Sequence, residues 1–344
     1  MQLAYGTVQR VRSLDHAIES LGRRPVRKLD PPVRAALRLG AYQLAFMNSV
    51  PAHAAANESV ELVRAAGLER AVAFTNAVLR RLGEGVGPLL EGLSESTPQE
   101  AALVHSYPDW VAETWWREWG EEDALALMRA QNEPPERVLR EPAGGLTAPW
   151  PQSRGSQLAG SAVGAQPGER VLDLCAAPGG KSSQLVSFGA DVVAVEKHPG
   201  RARELEENAA RLGARVTVVN ADALELPPEI GAFDRVLVDA PCSGLGVLNS
   251  RPDLRWRARP LPELQLDLLR AAVERTRPGG SITYSVCTIH AAENEEVIDA
   301  LGLPVDDLGA EFPDFSHARR PEFLLTLPHL HRTSGFFVAR LRRP

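Results

Sequence analysis

The sequence predicts two folds in series, an all-helical N-terminal domain and a mainly parallel α/β domain. Three observations predict it. Residues 1 to about 90 place apolar side chains at helical spacing throughout. From about residue 165, short β-rich apolar runs alternate with helical stretches. Gly/Pro/Ser-rich segments and an acidic helical stretch separate the two. A length of 344 residues allows about two domains with cores of their own. With 44 % hydrophobic and 24 % charged residues the chain has the balance of a folded protein.

In the helical part, Asp30 before Pro31-Pro32 reads as an N-cap with proline at the first helical position. Val33, Leu37, Ala41 and Leu44 then recur on one face. A second pattern runs from Asn57 through Val60 and Val63 to a stop near Gly67, and a third carries Phe74, Val78 and Leu82. The Gly/Pro/Ser/Glu stretch 83–100 reads as a linker, and the acidic segment 91–150 as helical connector. Its tryptophans, Trp110, Trp115, Trp116 and Trp119, suit docking of a helix better than base stacking. Residues 141–156 read as a loop. The predicted strands are Arg170–Leu174, Asp191–Glu196, Arg215–Val219, Phe233–Asp239 and Ser281–Val286. Strands alternating with helices mean βαβ units and a parallel sheet covered on both faces. Gly335–Leu341 follows no helix and is expected as an antiparallel edge strand.

Composition excludes several classes. Net charge is −6, so the chain as a whole is no polybasic nucleic-acid coat. The ends are nevertheless basic, +5 over residues 1–90 and +5 from Ser316 onward, and phosphate binding depends on such local clusters. The N-terminus has no secretory pattern, and no apolar run approaches the roughly 20 residues of a membrane span. Cys175, Cys242 and Cys287 are an odd number with no C-x-x-C pair, against a disulfide scaffold or a cysteine zinc site. A cytoplasmic monomer with no metal and no membrane partner is expected. The His329-x-His331 pair reads as structural.

The strongest local feature is the run from Val171 to Lys181, a strand feeding a small-residue turn that opens a helix. A Walker A loop would need glycine where Cys175 stands, and a dinucleotide loop would need G-x-G-x-x-G. A third ligand, S-adenosylmethionine, has a ribose diol and no phosphates, so it calls for carboxylates at strand ends. Glu196 is placed for the ribose hydroxyls and Asp222 for the adenine amino group, with Asp173 and Asp239 ending two further strands. Two cysteines reach the same sheet edge: Cys242 in Asp239-Ala-Pro-Cys-Ser-Gly244, and Cys287 in Tyr284-Ser-Val-Cys287. Carbon 5 of cytosine is too weak a nucleophile to take a methyl group directly. A thiolate added to carbon 6 makes an enamine whose carbon 5 can attack the sulfonium methyl. Asp239 is placed to stabilise the adduct at the ring nitrogen, and a base must later remove the carbon-5 proton. Arg251, Arg255, Arg257 and Arg259 around Trp256 could hold RNA phosphates and stack a base. Glu293, Glu295 and Glu296 read as a solvated helix start.

Asp173-Leu-Cys-Ala-Ala-Pro-Gly-Gly-Lys181, Asp239-Ala-Pro-Cys-Ser-Gly-Leu-Gly246 with Pro252-Asp and Arg255-Trp256, and Tyr284-Ser-x-Cys287 with Glu293-Asn-Glu-Glu-Val together resemble the Nop/Sun family of RNA cytosine-5 methyltransferases. Leu37-Arg-Leu-Gly-Ala-Tyr-Gln-Leu44, Val50-Pro-Ala-His-Ala54 and Asn76-Ala-Val-Leu-Arg80 resemble a NusB-type RNA-binding domain. The resemblance implies a NusB-like helical domain over 1–90, its first helix missing. It also implies an acidic connector with a shortened subdomain over 91–150, and a Rossmann-like methyltransferase domain over 151–344. It implies Cys287 as nucleophile and Cys242 as the residue assisting release. It places the cofactor on the turn Cys175, Ala176, Ala177, Pro178, Gly179, Gly180 and Lys181, with Glu196, Asp222 and Asp239. The expected substrate is 16S ribosomal RNA. A methyltransferase of another RNA, or a cofactor-binding assembly factor of little activity, are the alternatives.

Overall fold

The computed structural model describes residues 2–47 and 49–344. It falls into two compact units. The first runs to Asn132 and includes Arg251–Trp256; the second comprises Glu133–Ser250 and Arg257–Pro344.

The first unit holds α1 (Gln2–Gln9), α2 (Val11–Gly22), α3 (Pro31–Phe46), α4 (Ala52–Ala65), α5 (Glu69–Glu91), α6 (Pro98–His105) and α7 (Asp109–Ala130). Its core contains the predicted apolar faces, Leu37 and Ala41 of α3, Val63 of α4, and Val78 and Leu82 of α5, joined by Leu14 and Ile18 of α2. A Cβ at Gly40 would lie 2.4 Å from Leu79, so glycine lets α3 and α5 approach closely. The 83–100 stretch corrects the linker reading. α5 continues to Glu91 through Gly83, Gly85, Gly87 and Pro88, because Val86 is buried and Leu89 and Leu90 pack on the same core. Burial of that stripe outweighs the helix cost of three glycines. Thr97 then starts α6 with a capping box, its hydroxyl accepting from the Glu100 N–H while the Glu100 carboxylate accepts from the Thr97 N–H. Trp115 is fully buried, 5.3 Å from the Tyr107 ring.

The second unit opens with a short antiparallel pair, β1 (Leu139–Arg140) and β2 (Trp150–Pro151), then α8 (Arg154–Ala162) capped by Ser153. The predicted loop therefore ends before residue 154. The strands that follow are β3 (Arg170–Asp173), β4 (Asp191–Val195), β5 (Val216–Val219), β6 (Phe233–Asp239), β7 (Thr276–Val286), β8 (Leu324–Thr326) and β9 (Phe336–Arg342). The helices α9 (Gly180–Ser187), α10 (Pro199–Leu212) and α12 (Pro262–Arg275) connect them, while α11 (Leu254–Arg257) lies between β6 and α12 in the chain and α13 (Glu295–Leu301) follows β7. The sheet order is β5-β4-β3-β6-β7-β9-β8, parallel from β5 to β7 and antiparallel for the last two. β9 is antiparallel as expected but is not the edge; the three-residue β8, too short to read from its pattern, lies outside it. The order reverses at β3, which has β4 on one side and β6 on the other, and ligands of open α/β sheets bind at the carboxyl ends beside such a point. Among the described residues no helix is long and apolar enough to cross a membrane.

Candidate active site

The turn after β3 is built to bring backbone close to a ligand. Gly179 adopts φ 101° at the N-cap of α9, a conformation that favours glycine. A Cβ at Gly180 would lie 2.6 Å from the Trp150 ring nitrogen. The turn is pinned from both sides. The Ala176 N–H donates to the Val195 carbonyl at 3.0 Å, and Arg140 donates to the Gly180 carbonyl at 3.1 Å and to Ser183 Oγ at 2.7 Å.

Asp173 sits beneath this turn, 1 % exposed, with one carboxylate oxygen accepting from Ser182 Oγ at 2.7 Å. The other finds no partner among the described residues. Burial pushes the carboxyl up to about 7 despite the Ser182 hydroxyl. From its ordinary value near 3.8 to about 7, the folded protein keeps a proton that the unfolded chain has released. Stability contributed by this group therefore falls as pH rises through that window and levels above it. In cofactor-free protein, Asp173→Asn should flatten the melting temperature between about pH 4 and pH 7 relative to wild type. Parallel profiles would show that the group is ionised throughout.

Two of the four predicted acids come together in one cleft at the carboxyl ends of β3, β4 and β5. Glu196 and Asp222 line it with Cys175, and Leu224, Leu264 and Leu268 provide apolar faces. Glu196 is only 4 % exposed; its carboxylate accepts from the His198 N–H at 2.9 Å and lies 3.7 Å from Arg201. Asp222 accepts from Lys197 Nζ at 2.6 Å and from the Leu224 N–H, and these hold its carboxyl below the usual range. A buried acid on one wall with apolar side chains around it fits a ribose diol and a purine. Glu196→Ala should weaken S-adenosylmethionine binding roughly ten- to hundredfold, the scale of a charged hydrogen bond. Unchanged affinity in calorimetry would remove Glu196 from the site.

Asp239 lies apart from the walls of that cleft, at the end of β6. It accepts from Lys181 Nζ at 2.8 Å and from Ser285 Oγ at 3.0 Å. The parallel register sets Asp239 beside Ser285, two residues before Cys287. Cys242 and Cys287 are both partly exposed, their sulfurs 3.4 Å apart. The sulfurs are within hydrogen-bond reach and either can donate; their contact holds the Cys287 thiol below the ordinary value, while the same contact and burial push Cys242 well up. The nearby Lys181 ammonium adds to the effect on Cys287. Cys175, by contrast, is pushed up by burial and by the surrounding carboxylates, so it stays a neutral thiol.

Two sequence expectations need correction here. Arg255 is not an RNA-facing cation. It is 1 % exposed and belongs to the helical unit, where its guanidinium lies 4.0 Å from the Tyr107 ring and donates to the carbonyls of Gln9, His105, Ser106 and Gln131. Burial lowers it to about 10. A buried cation needs such a set of partners, and its burial keeps the guanidinium away from a phosphate in solvent. Trp256 donates its ring N–H to the Val8 carbonyl at 2.7 Å and keeps part of its ring exposed. Arg251 and Arg257 are exposed, Arg251 beside Asp253 at 3.2 Å. Glu293 is likewise no solvated helix start: it is 0 % exposed, beneath the two cysteine loops. Glu295 is half-buried in role and contact, paired with the buried His317 at 2.7 Å. Glu293 could not be found by composition, since it is one of three clustered acids and only the return of the chain after β7 turns it inward. A larger cavity, about 730 Å³ between α4 and α5, brings together His53, Asn76 and Arg80 from two of the three NusB-like motifs, with Asn57 beside them.

This sheet order, with a glycine turn after β3 and an acid after β4, defines an S-adenosylmethionine-dependent methyltransferase. The chain belongs to the 16S rRNA methyltransferase RsmB/F family, whose model matches residues 161–342, and residues 1–84 match the NusB family. It is 34 % identical to the ribosomal RNA small subunit methyltransferase B of Thermus thermophilus, over 99 % of this chain and 87 % of that one. It is 29 % identical to the protein of the same name from Salmonella newport, over 99 % and 89 %. The crystal structure of PH0851 has the same fold, with a TM-score of 0.82 at 23 % identity, covering 99 % of this chain and 89 % of that one.

Proposed function

We propose that this protein methylates carbon 5 of a cytosine in 16S ribosomal RNA, through a transient bond between Cys287 and the base. The observation that carries this reading is the sulfur pair at 3.4 Å, with the acid Asp239 and the cation Lys181 at the same sheet end. Cys287 holds the charge and adds to carbon 6, forming the sulfur–carbon bond and an enamine. Asp239 faces the ring nitrogen and stabilises the electron-rich adduct. Bound S-adenosylmethionine supplies the electrophilic methyl group. Solvent water then takes the carbon-5 proton as the carbon–sulfur bond breaks and Cys287 leaves as a thiolate. Cys242, a neutral thiol, assists by donating a hydrogen bond to that thiolate. Glu196, Asp222 and the turn Cys175–Lys181 hold the cofactor.

RNA is gripped by the NusB-like helices of residues 1–90, with 91–150 as connector and 151–344 as catalytic domain. Arg251 and Arg257 contribute phosphate contacts and Trp256 a stacking face. A target base in structured RNA must be turned out of its stack, at a cost of a few kcal/mol that these contacts offset. The names of the matched relatives support the ribosomal substrate. Bisulfite sequencing of ribosomal RNA from cells with and without the gene tests this directly. One cytosine of 16S RNA should lose protection when the gene is absent. Labelled methyl groups from the purified protein appearing in transfer RNA instead would redirect the substrate.

A further inference from the structure

We propose that Glu293 is a positioning residue that sets the separation of Cys242 and Cys287. It ends the short turn Ala291–Glu293 after β7 and is fully buried. One carboxylate oxygen accepts from the Ser243 N–H at 2.9 Å, the Leu261 N–H at 3.0 Å and Gln265 Nε2 at 3.0 Å. The other accepts from the Ser243 hydroxyl, whose oxygen is 2.9 Å from that of Thr288. Gln265 Nε2 also donates to the Pro241 carbonyl at 2.9 Å. Both chain neighbours of Cys242 are thus fixed, Ser243 directly and Pro241 through Gln265. On the other side, the Tyr284 hydroxyl donates to the Glu293 carbonyl at 2.7 Å, and Thr288 adjoins Cys287.

A buried carboxylate is costly unless its lone pairs are used, and four donors from two loops and the start of α12 use these. A site serving packing alone would be filled more cheaply by leucine or methionine. Directional acceptors are what an apolar residue could not provide, and here they converge on the loop that carries Cys242. Glu293 touches neither sulfur; it acts through Ser243 and Pro241.

The catalytic consequence rests on the proposed roles of the two cysteines, but the sulfur separation does not, so the test reads the separation first. In full-length protein, diamide should trap the Cys242–Cys287 disulfide rapidly, mapped by peptide mass. Glu293→Ala should trap it at least about tenfold more slowly, since small misplacements of reacting atoms cost that much or more. Glu293→Gln keeps an acceptor oxygen and should retain most of the wild-type rate. If the cysteine roles also hold, kcat of Glu293→Ala falls with the trapping rate, while KM for RNA and affinity for S-adenosylmethionine stay near wild type. Should Glu293→Ala fail to fold, Gln265→Met cuts the link to Pro241 and should slow trapping. Wild-type trapping in Glu293→Ala, or in Gln265→Met where that variant stands in, overturns the inference, as does Glu293→Gln trapping no faster than Glu293→Ala. Fast trapping in wild type with full turnover in Cys287→Ala would instead sink the cysteine roles alone.

Discussion

Cys287→Ala is expected to cut methyl transfer by about 10⁴-fold or more, roughly 5 kcal/mol of transition-state stabilisation, with cofactor affinity nearly unchanged. The size follows from the chemistry proposed. Without a sulfur at carbon 6 the ring never becomes an enamine, and no neighbouring group can substitute. Cys242 is the nearest candidate, but its proton is held by burial and by the contact with Cys287. Cys175 is pushed up by burial and adjoining carboxylates. Cofactor binding should survive because Glu196 and Asp222 line a cleft whose walls do not include Cys287. Rates from labelled S-adenosylmethionine and affinity from calorimetry, taken on the same preparation, separate the two effects. Near-normal turnover would mean that the methyl group travels by another route.

Cys242→Ala should produce the opposite signature, a covalent complex that forms and does not resolve. Its sulfur is 3.4 Å from that of Cys287 and carries its proton there, a thiol placed beside the bond that must break. Removing it leaves Cys287 able to add but slow to leave. An RNA–protein band surviving denaturant, absent from wild type and from the Cys242→Ala/Cys287→Ala double variant, is the expected result. A Cys242→Ala protein that turns over without such a band would remove the thiol from the release step.

Much of this was legible from residue order because the parallel strands are buried runs bounded by turn residues. Val192–Val195 and Val236–Val238 are almost wholly buried, so they read as continuous apolar segments. The acids that follow such strands, Glu196 and Asp239, are then at the ligand edge by topology alone. The helical faces around Leu37, Val63 and Val78 were equally plain. What escaped was decided by distant packing. Val86 buries a glycine-rich turn and prolongs α5, although local propensity argues for a break. Arg255 sits in a run of arginines that looks solvated, yet one of them fills a pocket of four carbonyls around Tyr107. β8 is three residues long and pairs only because β9 is there to receive it. Glu293 belongs to the same class: charge type predicts water, and tertiary hydrogen bonds override it. The ordering of the two cysteines came from family resemblance, because residue order alone brings both to the same sheet edge and leaves either as the nucleophile.

The most direct test uses 16S RNA carrying 5-fluorocytidine, incubated with the wild-type protein and S-adenosylmethionine. Fluorine at carbon 5 cannot leave as a proton does, so a methylated adduct would persist. Digestion and mass spectrometry should then find the nucleotide bonded to the peptide containing Cys287. A bond on the Cys242 peptide, or methylated RNA released with no adduct at all, would contradict the account.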